Sequence, residues 1–327
     1  MRKVLALGMT LAVAGTTTVA AAEAATAATG RTSVTARPAT PATPATPPAP
    51  WVPEVVAPAS TADLPLPVRQ QTYAYGSDPR QRLDAYWTTP LAGRQPGVLL
   101  LHGGYWLTGD KGSWKNFARR LSARGYAVFA ANYRLSPQRH WPAQRDDSSA
   151  ALTYIKRNAS RYHLDPDRIV VVGASAGGQL AAMLGTYGAG RKNVRGVVAL
   201  SPVNSPYLAY LDGARPAARA SQRRLRTAVT QLIGCTPRPQ GAACWDRLQD
   251  VTPVDHVDGG DAPMLLMHSA GDFVPYEQSV ALRDVLTAVR VPATLVRVPG
   301  SAHGAGLLAD PQVAATVVNW VYSVTRR

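Results

Sequence analysis

The stretch Arg168, Ile169, Val170, Val171, Val172, Gly173, Ala174, Ser175, Ala176, Gly177, Gly178 decides the fold. Its four consecutive β-branched residues (169–172) suit a short strand buried on both faces. A Gly-x-Ser-x-Gly turn follows at once, and residues 176–184 continue as a helix of small side chains. Strand, sharp turn and helix in that order form the setting in which a serine hydroxyl is exposed as a nucleophile at the end of a sheet. Glycines two before and two after the serine let neighbouring backbone approach closely. The helix start brings a partial positive charge and free N–H groups to the same place.

On both sides of this stretch, short apolar runs alternate with helical patterns. Strands are predicted over 70–75, 82–88, 97–101, 126–133, 168–173, 194–200, 264–268 and 294–298, and helices over 114–123, 142–162, 176–184, 278–286 and 311–324. The first two strands alternate polar and apolar residues, as a half-exposed hairpin at a sheet edge does. The rhythm points to an α/β fold with a mainly parallel eight-stranded sheet and helices on both faces. It breaks over about 204–260, which carries arginines, prolines and both cysteines but no buried strand. That interval is too long for a plain connection and reads as an inserted lid.

A serine nucleophile needs a base, and the chain has 6 histidines. In a strand-turn-helix hydrolase the order is serine, acid, histidine. His102, His140 and His163 precede Ser175, His256 falls in the insertion, and His268 lies inside a strand, where it helps anchor that strand's end. His303 stands in a glycine-flanked loop after the last strand and is the candidate base. Asp272, just after the 264–268 strand, is the candidate acid. Asp284 and Asp310 are rivals that do not end a strand. The sequence His102-Gly103-Gly104-Tyr105-Trp106 follows the 97–101 strand, where the first half of an oxyanion hole belongs. The N–H of Ala176 would be the other half.

These residues resemble the α/β-hydrolase superfamily, within the carboxylesterase branch that carries an HGG-type oxyanion loop. They are similar to hormone-sensitive-lipase-like and feruloyl/acetyl-esterase-like enzymes and to kynurenine formamidases. The resemblance is carried by His102 to Trp106 (HGGYW), Asn132-Tyr133-Arg134-Leu135, Gly173 to Gly178 (GASAGG), Gly271 to Pro275 (GDFVP) and His303-Gly304. It implies nucleophile Ser175, acid Asp272, base His303 and oxyanion donors at Gly104, Tyr105 and Ala176. Tyr105 stands where the lipase-like branch has a third glycine, which places the chain nearer the HGG-x-W enzymes.

The expected activity is hydrolysis of a small-molecule or polysaccharide-linked carboxylic ester through an acyl-enzyme, with Trp106 on the acyl side and the lid on the alcohol side. An amidase of arylformamidase or peptidase-like type is the second reading, and a catalytically silent exported binding protein the third. No metal or cofactor is called for, since metal-ligand and phosphate-loop motifs do not occur.

Arg2 and Lys3, an apolar run and Ala-x-Ala patterns near residues 20–24 have the layout of a secretory signal peptide over 1–24. The apolar run is too short to span a bilayer, so no stable membrane insertion is expected of a secreted mature chain. Pro-Ala-Thr repeats make residues 25–67 an extended linker before a catalytic domain over 68–327. Export makes a disulfide between Cys235 and Cys244 the preferred reading over two free thiols. The net charge of +15 admits a basic surface for anionic partners or a plain composition bias. Arg223, Arg224 and Arg226 lack interleaved aromatics, which argues against nucleic acid.

Overall fold

The structure is a computed structural model that describes residues 67–90, 93–238 and 241–326. The expected signal peptide and, apart from Pro67, the expected linker lie outside the described residues. The strands are β1 (Arg69–Ala74), β2 (Arg82–Trp87), β3 (Gln95–Leu101), β4 (Ala127–Ala131), β5 (Leu164–Ala174), β6 (Gly196–Leu200), β7 (Met264–Ser269) and β8 (Ala293–Val298). They form one 8-stranded sheet in the order β1-β2-β4-β3-β5-β6-β7-β8. β2 pairs antiparallel with β1 and β4, and every later pairing from β4 to β8 is parallel. This is the α/β-hydrolase fold.

The β-branched run of β5 explains its central place. Ile169 and Val171 face one layer of core while Val170 and Val172 face the other, and all four are fully buried. The helices are α1 (Lys115–Ser122), α2 (Ala143–Arg157), α3 (Ala176–Thr186), α4 (Pro206–Asp212), α5 (Ala220–Ile233), α6 (Ala242–Asp250), α7 (Glu277–Ala288) and α8 (Pro311–Thr325). Phe117, Ala118 and Leu121 of α1 and Val313, Val317 and Val321 of α8 cover one face, and α2, α3 and α7 pack on the other. The apolar residues of α8 recur at helical spacing, which is why one stripe of that helix is buried.

The predicted 142–162 helix is shorter than expected. α2 stops at Arg157 because the Asn158 side chain donates to Tyr154 O at 2.9 Å, offering the last turn an alternative to continued helix. A 3₁₀ turn over Ala159–Tyr162 follows and ends on His163 at φ 48°. The 204–260 interval folds as α4, α5 and α6, with no strand among its described residues. Cys235, just after α5, is bonded to Cys244 in α6.

In parallel strands the carboxyl ends share one edge of the sheet, the usual place for a ligand in open α/β folds. His102 follows β3, Ser175 follows β5, Asp272 follows β7 and His303 follows β8. The fold therefore gathers four distant segments along that edge.

Candidate active site

Ser175 sits between β5 and α3 at φ 54° and ψ −119°, a conformation costly for a side chain with a Cβ. Its N–H donates to Leu200 O at 2.9 Å, and its carbonyl accepts from Gln179 N at 3.0 Å, which pins the turn. The flanking glycines are required sterically. A β-carbon on Gly173 would lie 2.0 Å from Gly177 O, and one on Gly177 would lie 2.2 Å from Leu101 O. The strand, the turn and the neighbouring β3 are thus in backbone contact around the serine.

Asp272 has a side chain only 1% exposed, and His303 Nδ1 lies 2.9 and 3.0 Å from its two carboxylate oxygens. The Val274 N–H also donates to Asp272 Oδ1, at 3.1 Å. Burial pushes this carboxyl up, but the hydrogen bond and charge of His303, with the Val274 N–H, outweigh it and hold Asp272 below the ordinary carboxylate range. His268 closes the same turn from beneath. It is fully buried, with Nε2 2.8 Å from Val274 O and Nδ1 2.9 Å from Ser279 Oγ. Burial depresses its pKa, so the neutral ring donates to the carbonyl and accepts from the hydroxyl. The sequence reading of His268 as a strand-end anchor agrees with this geometry.

His303 approaches Ser175 through its neighbour. A β-carbon on Gly304 would lie 3.7 Å from Ser175 Cβ. Among the described residues no hydrogen bond joins Ser175 Oγ to His303 in this conformation; the structure pairs His303 with Asp272 and brings Gly304, the next residue, close to Ser175. Phe273 packs on the imidazole with ring centroids 4.3 Å apart.

The loop from His102 to Trp106 also comes close to Ser175. A β-carbon on Gly103 would lie 3.1 Å from Ser175 Cβ. Gly104 at φ 125° and Tyr105 at φ 59° turn the chain, and the Gly104 carbonyl accepts from the N–H groups of Leu107 and Thr108, each at 3.0 Å. Among the described residues none accepts a hydrogen bond from the N–H of Gly104 or Tyr105. Ala176 opens α3, where a helix leaves its first N–H groups unpaired. The Tyr105 ring stacks on Phe273 at 5.9 Å, and the guanidinium of Arg224 from α5 lies 4.8 Å from its centroid.

Trp106 corrects an expectation. It is fully buried, with its indole N–H donating to Gln179 Oε1 at 3.0 Å, while Gln179 Nε2 donates to Val251 O at 2.8 Å. A side chain with no accessible surface cannot line the acyl side in this conformation. It ties the loop to α3 because a buried indole N–H must find an acceptor. Gln179 and Arg80 were not singled out from the sequence, Arg224 entered only as part of a basic cluster, and Phe273 only inside the GDFVP stretch. Of these, Gln179 gave one signal, a polar side chain within an otherwise apolar helix.

The BD-FAE family profile matches residues 83–286. The chain belongs to the BD-FAE family. Among relatives, a Mycobacterium tuberculosis protein named "Probable carboxylic ester hydrolase LipM" is 28% identical over 292 residues, 80% of this chain and 64% of its own. The BD-FAE chain thus spans less than two thirds of that relative's length. A solved structure described as a truncated form of carbohydrate esterase from gut microbiota superposes with a TM-score of 0.65 at 26% identity, covering 79% of this chain and 97% of its own. EstE1, a thermophilic carboxylesterase cloned from a metagenomic library, gives a TM-score of 0.64 at 25% identity, over 80% and 88% of the two chains. Among the described residues of the BD-FAE chain, no helix is long and apolar enough to cross a membrane.

Proposed function

We propose that the chain is a secreted serine carboxylesterase, with Ser175 as nucleophile, His303 as base and Asp272 as the residue that orients it. The observation that carries this reading is the His303–Asp272 pair at 2.9 Å, followed by Gly304, on which a β-carbon would lie 3.7 Å from Cβ of the strained Ser175. A buried carboxylate on Nδ1 leaves Nε2 as the basic nitrogen and stabilises the imidazolium formed when the hydroxyl proton is taken. Ser175 Oγ then attacks the ester carbonyl, and the oxyanion is held by the N–H groups of Gly104, Tyr105 and Ala176. His303 returns the proton to the leaving alcohol, and water repeats the sequence on the acyl-enzyme. The esterase names of the relatives and structural neighbours support the same chemistry.

Tyr105 and Phe273, rather than Trp106, are the ring surfaces that would meet the substrate. A cavity of about 630 Å³ borders Asp272, Phe273, Tyr276, Arg219 and Gln222 and would take the alcohol side, with α4 and α5 as its lid. The disulfide and the N-terminal signal pattern support export. The test is turnover of short p-nitrophenyl esters and labelling by a fluorophosphonate. Both should vanish in Ser175→Ala, and turnover left intact in that variant would sink the assignment.

A further inference from the structure

Behind the oxyanion loop lies a polar cluster that the acyl-transfer scheme does not use. Arg80, in the turn between β1 and β2, places Nη2 3.3 Å from His102 Nε2 and donates from the same nitrogen to Gly109 O at 2.8 Å. Its Nε donates to Tyr133 O at 3.3 Å. The other ring nitrogen of His102, Nδ1, lies 2.8 Å from Gly103 O. A guanidinium only donates and a carbonyl only accepts. Both contacts therefore demand one tautomer, with the Nε2 lone pair facing Arg80 and the proton on Nδ1 donated to Gly103 O.

That carbonyl belongs to the same peptide unit as the Gly104 N–H. In a trans peptide the C=O and the N–H point in opposite directions. Holding Gly103 O toward His102 turns the Gly104 N–H the opposite way, away from the imidazole, in a loop where a β-carbon on Gly103 would lie 3.1 Å from Ser175 Cβ. The imidazole has little freedom to release it. It stacks on Tyr133 with centroids 4.4 Å apart and planes 15° apart, and Tyr133 Oη donates to His102 O at 2.8 Å. Gly109 closes the remaining side, because a β-carbon there would lie 2.5 Å from His102 Nδ1 and 2.3 Å from Gly103 O.

We propose that Arg80 is a positioning residue that, through the imidazole of His102, fixes the peptide unit presenting the Gly104 N–H to the oxyanion. The kinetic consequence rests on the esterase reading, whereas the tautomer follows from the contacts alone.

Arg80→Met and Arg80→Lys in the full chain test it. Misaiming one oxyanion donor should lower kcat in Arg80→Met by roughly tenfold or more, bounded above by the roughly 10²–10³ that deleting such a donor costs. KM should stay within about twofold, because the interaction is made in the transition state. The inhibition constant of a trifluoromethyl ketone, whose adduct carries the oxyanion, should rise in step with the loss of kcat. Arg80→Lys, which keeps a donor, should recover most of the loss. ¹⁵N NMR of labelled histidine should show His102 Nε2 unprotonated in the wild type, and the ring should lose this fixed state in Arg80→Met. An unchanged kcat in a folded Arg80→Met, or a protonated Nε2 in the wild type, overturns the proposal. If Arg80→Met fails to fold, the wild-type and Arg80→Lys spectra decide. A wild-type chain that turns over no ester would defeat the esterase reading, and the spectra would still judge the role of Arg80.

Discussion

His303 presents Nδ1 to both carboxylate oxygens of Asp272, at 2.9 and 3.0 Å, although 31 residues separate them in the chain. Asp272→Asn keeps the shape of that contact but replaces an acceptor-only group with an amide. The expected outcome is a fall in kcat on the order of 10³–10⁴, as when the orienting acid of a serine triad becomes an amide. Steady-state kinetics on a p-nitrophenyl ester, with the far-UV spectrum unchanged, would check it. Retention of more than a tenth of wild-type turnover would remove Asp272 from the mechanism.

The strain at Ser175 has its own signature. A residue with a Cβ at φ 54° costs energy that glycine does not incur. Ser175→Gly should therefore abolish turnover and raise stability by about 1 kcal/mol. Urea unfolding of both proteins measures this, and a destabilised glycine variant would contradict the strain.

Gln179 should matter to stability as well as to the site. Gln179→Leu leaves the buried Trp106 indole and the Val251 carbonyl without partners. Each unsatisfied group costs about 1–3 kcal/mol, so a loss of roughly 2–6 kcal/mol is expected from the two. The unfolding midpoint reads it, and an unchanged midpoint would show that the relay carries no weight.

The pH dependence of stability follows from His102. Burial, helped by the Arg80 charge and opposed by the Gly103 carbonyl, pushes its pKa down to about 4 in the folded chain. Below the reference value of about 6.5 the unfolded chain takes up a proton that the native ring refuses. Stability should therefore fall as pH drops from about 6.5 towards 4, by on the order of 3 kcal/mol from this ring. The depressed carboxyl of Asp272 acts in the same direction at lower pH, since its contribution is lost as the folded group becomes protonated. Unfolding curves at several pH values should show a shallower slope for His102→Gln, and identical slopes would refute the assignment to His102.

The disulfide joins the end of α5 to α6 across a separation of 9 residues. Loop-closure entropy gives it about 2–3 kcal/mol. Cys235→Ser with Cys244→Ser should lower the denaturation midpoint accordingly and leave the elbow around Ser175 intact. A double variant as stable as the wild type would show that the insertion is held by packing alone.

Local sequence determined much of this protein. The β-branched run before Gly173 required a strand buried on both faces, and the glycines around Ser175 required backbone contact. Both are properties of a few neighbouring residues, legible without coordinates. The places of Ser175, Asp272 and His303 along one sheet edge were legible for the same reason, since each follows a strand of the alternating pattern.

Long-range contact decided the rest. Nothing near Trp106 shows that its indole turns inward to Gln179, because the partner lies 73 residues away. Nor does anything near Arg80 show that it meets His102, because only the hairpin at the sheet edge brings the two together. Which face a side chain takes in a loop depends on the donors and acceptors that packing leaves unpaired, and these exist only once distant segments have met.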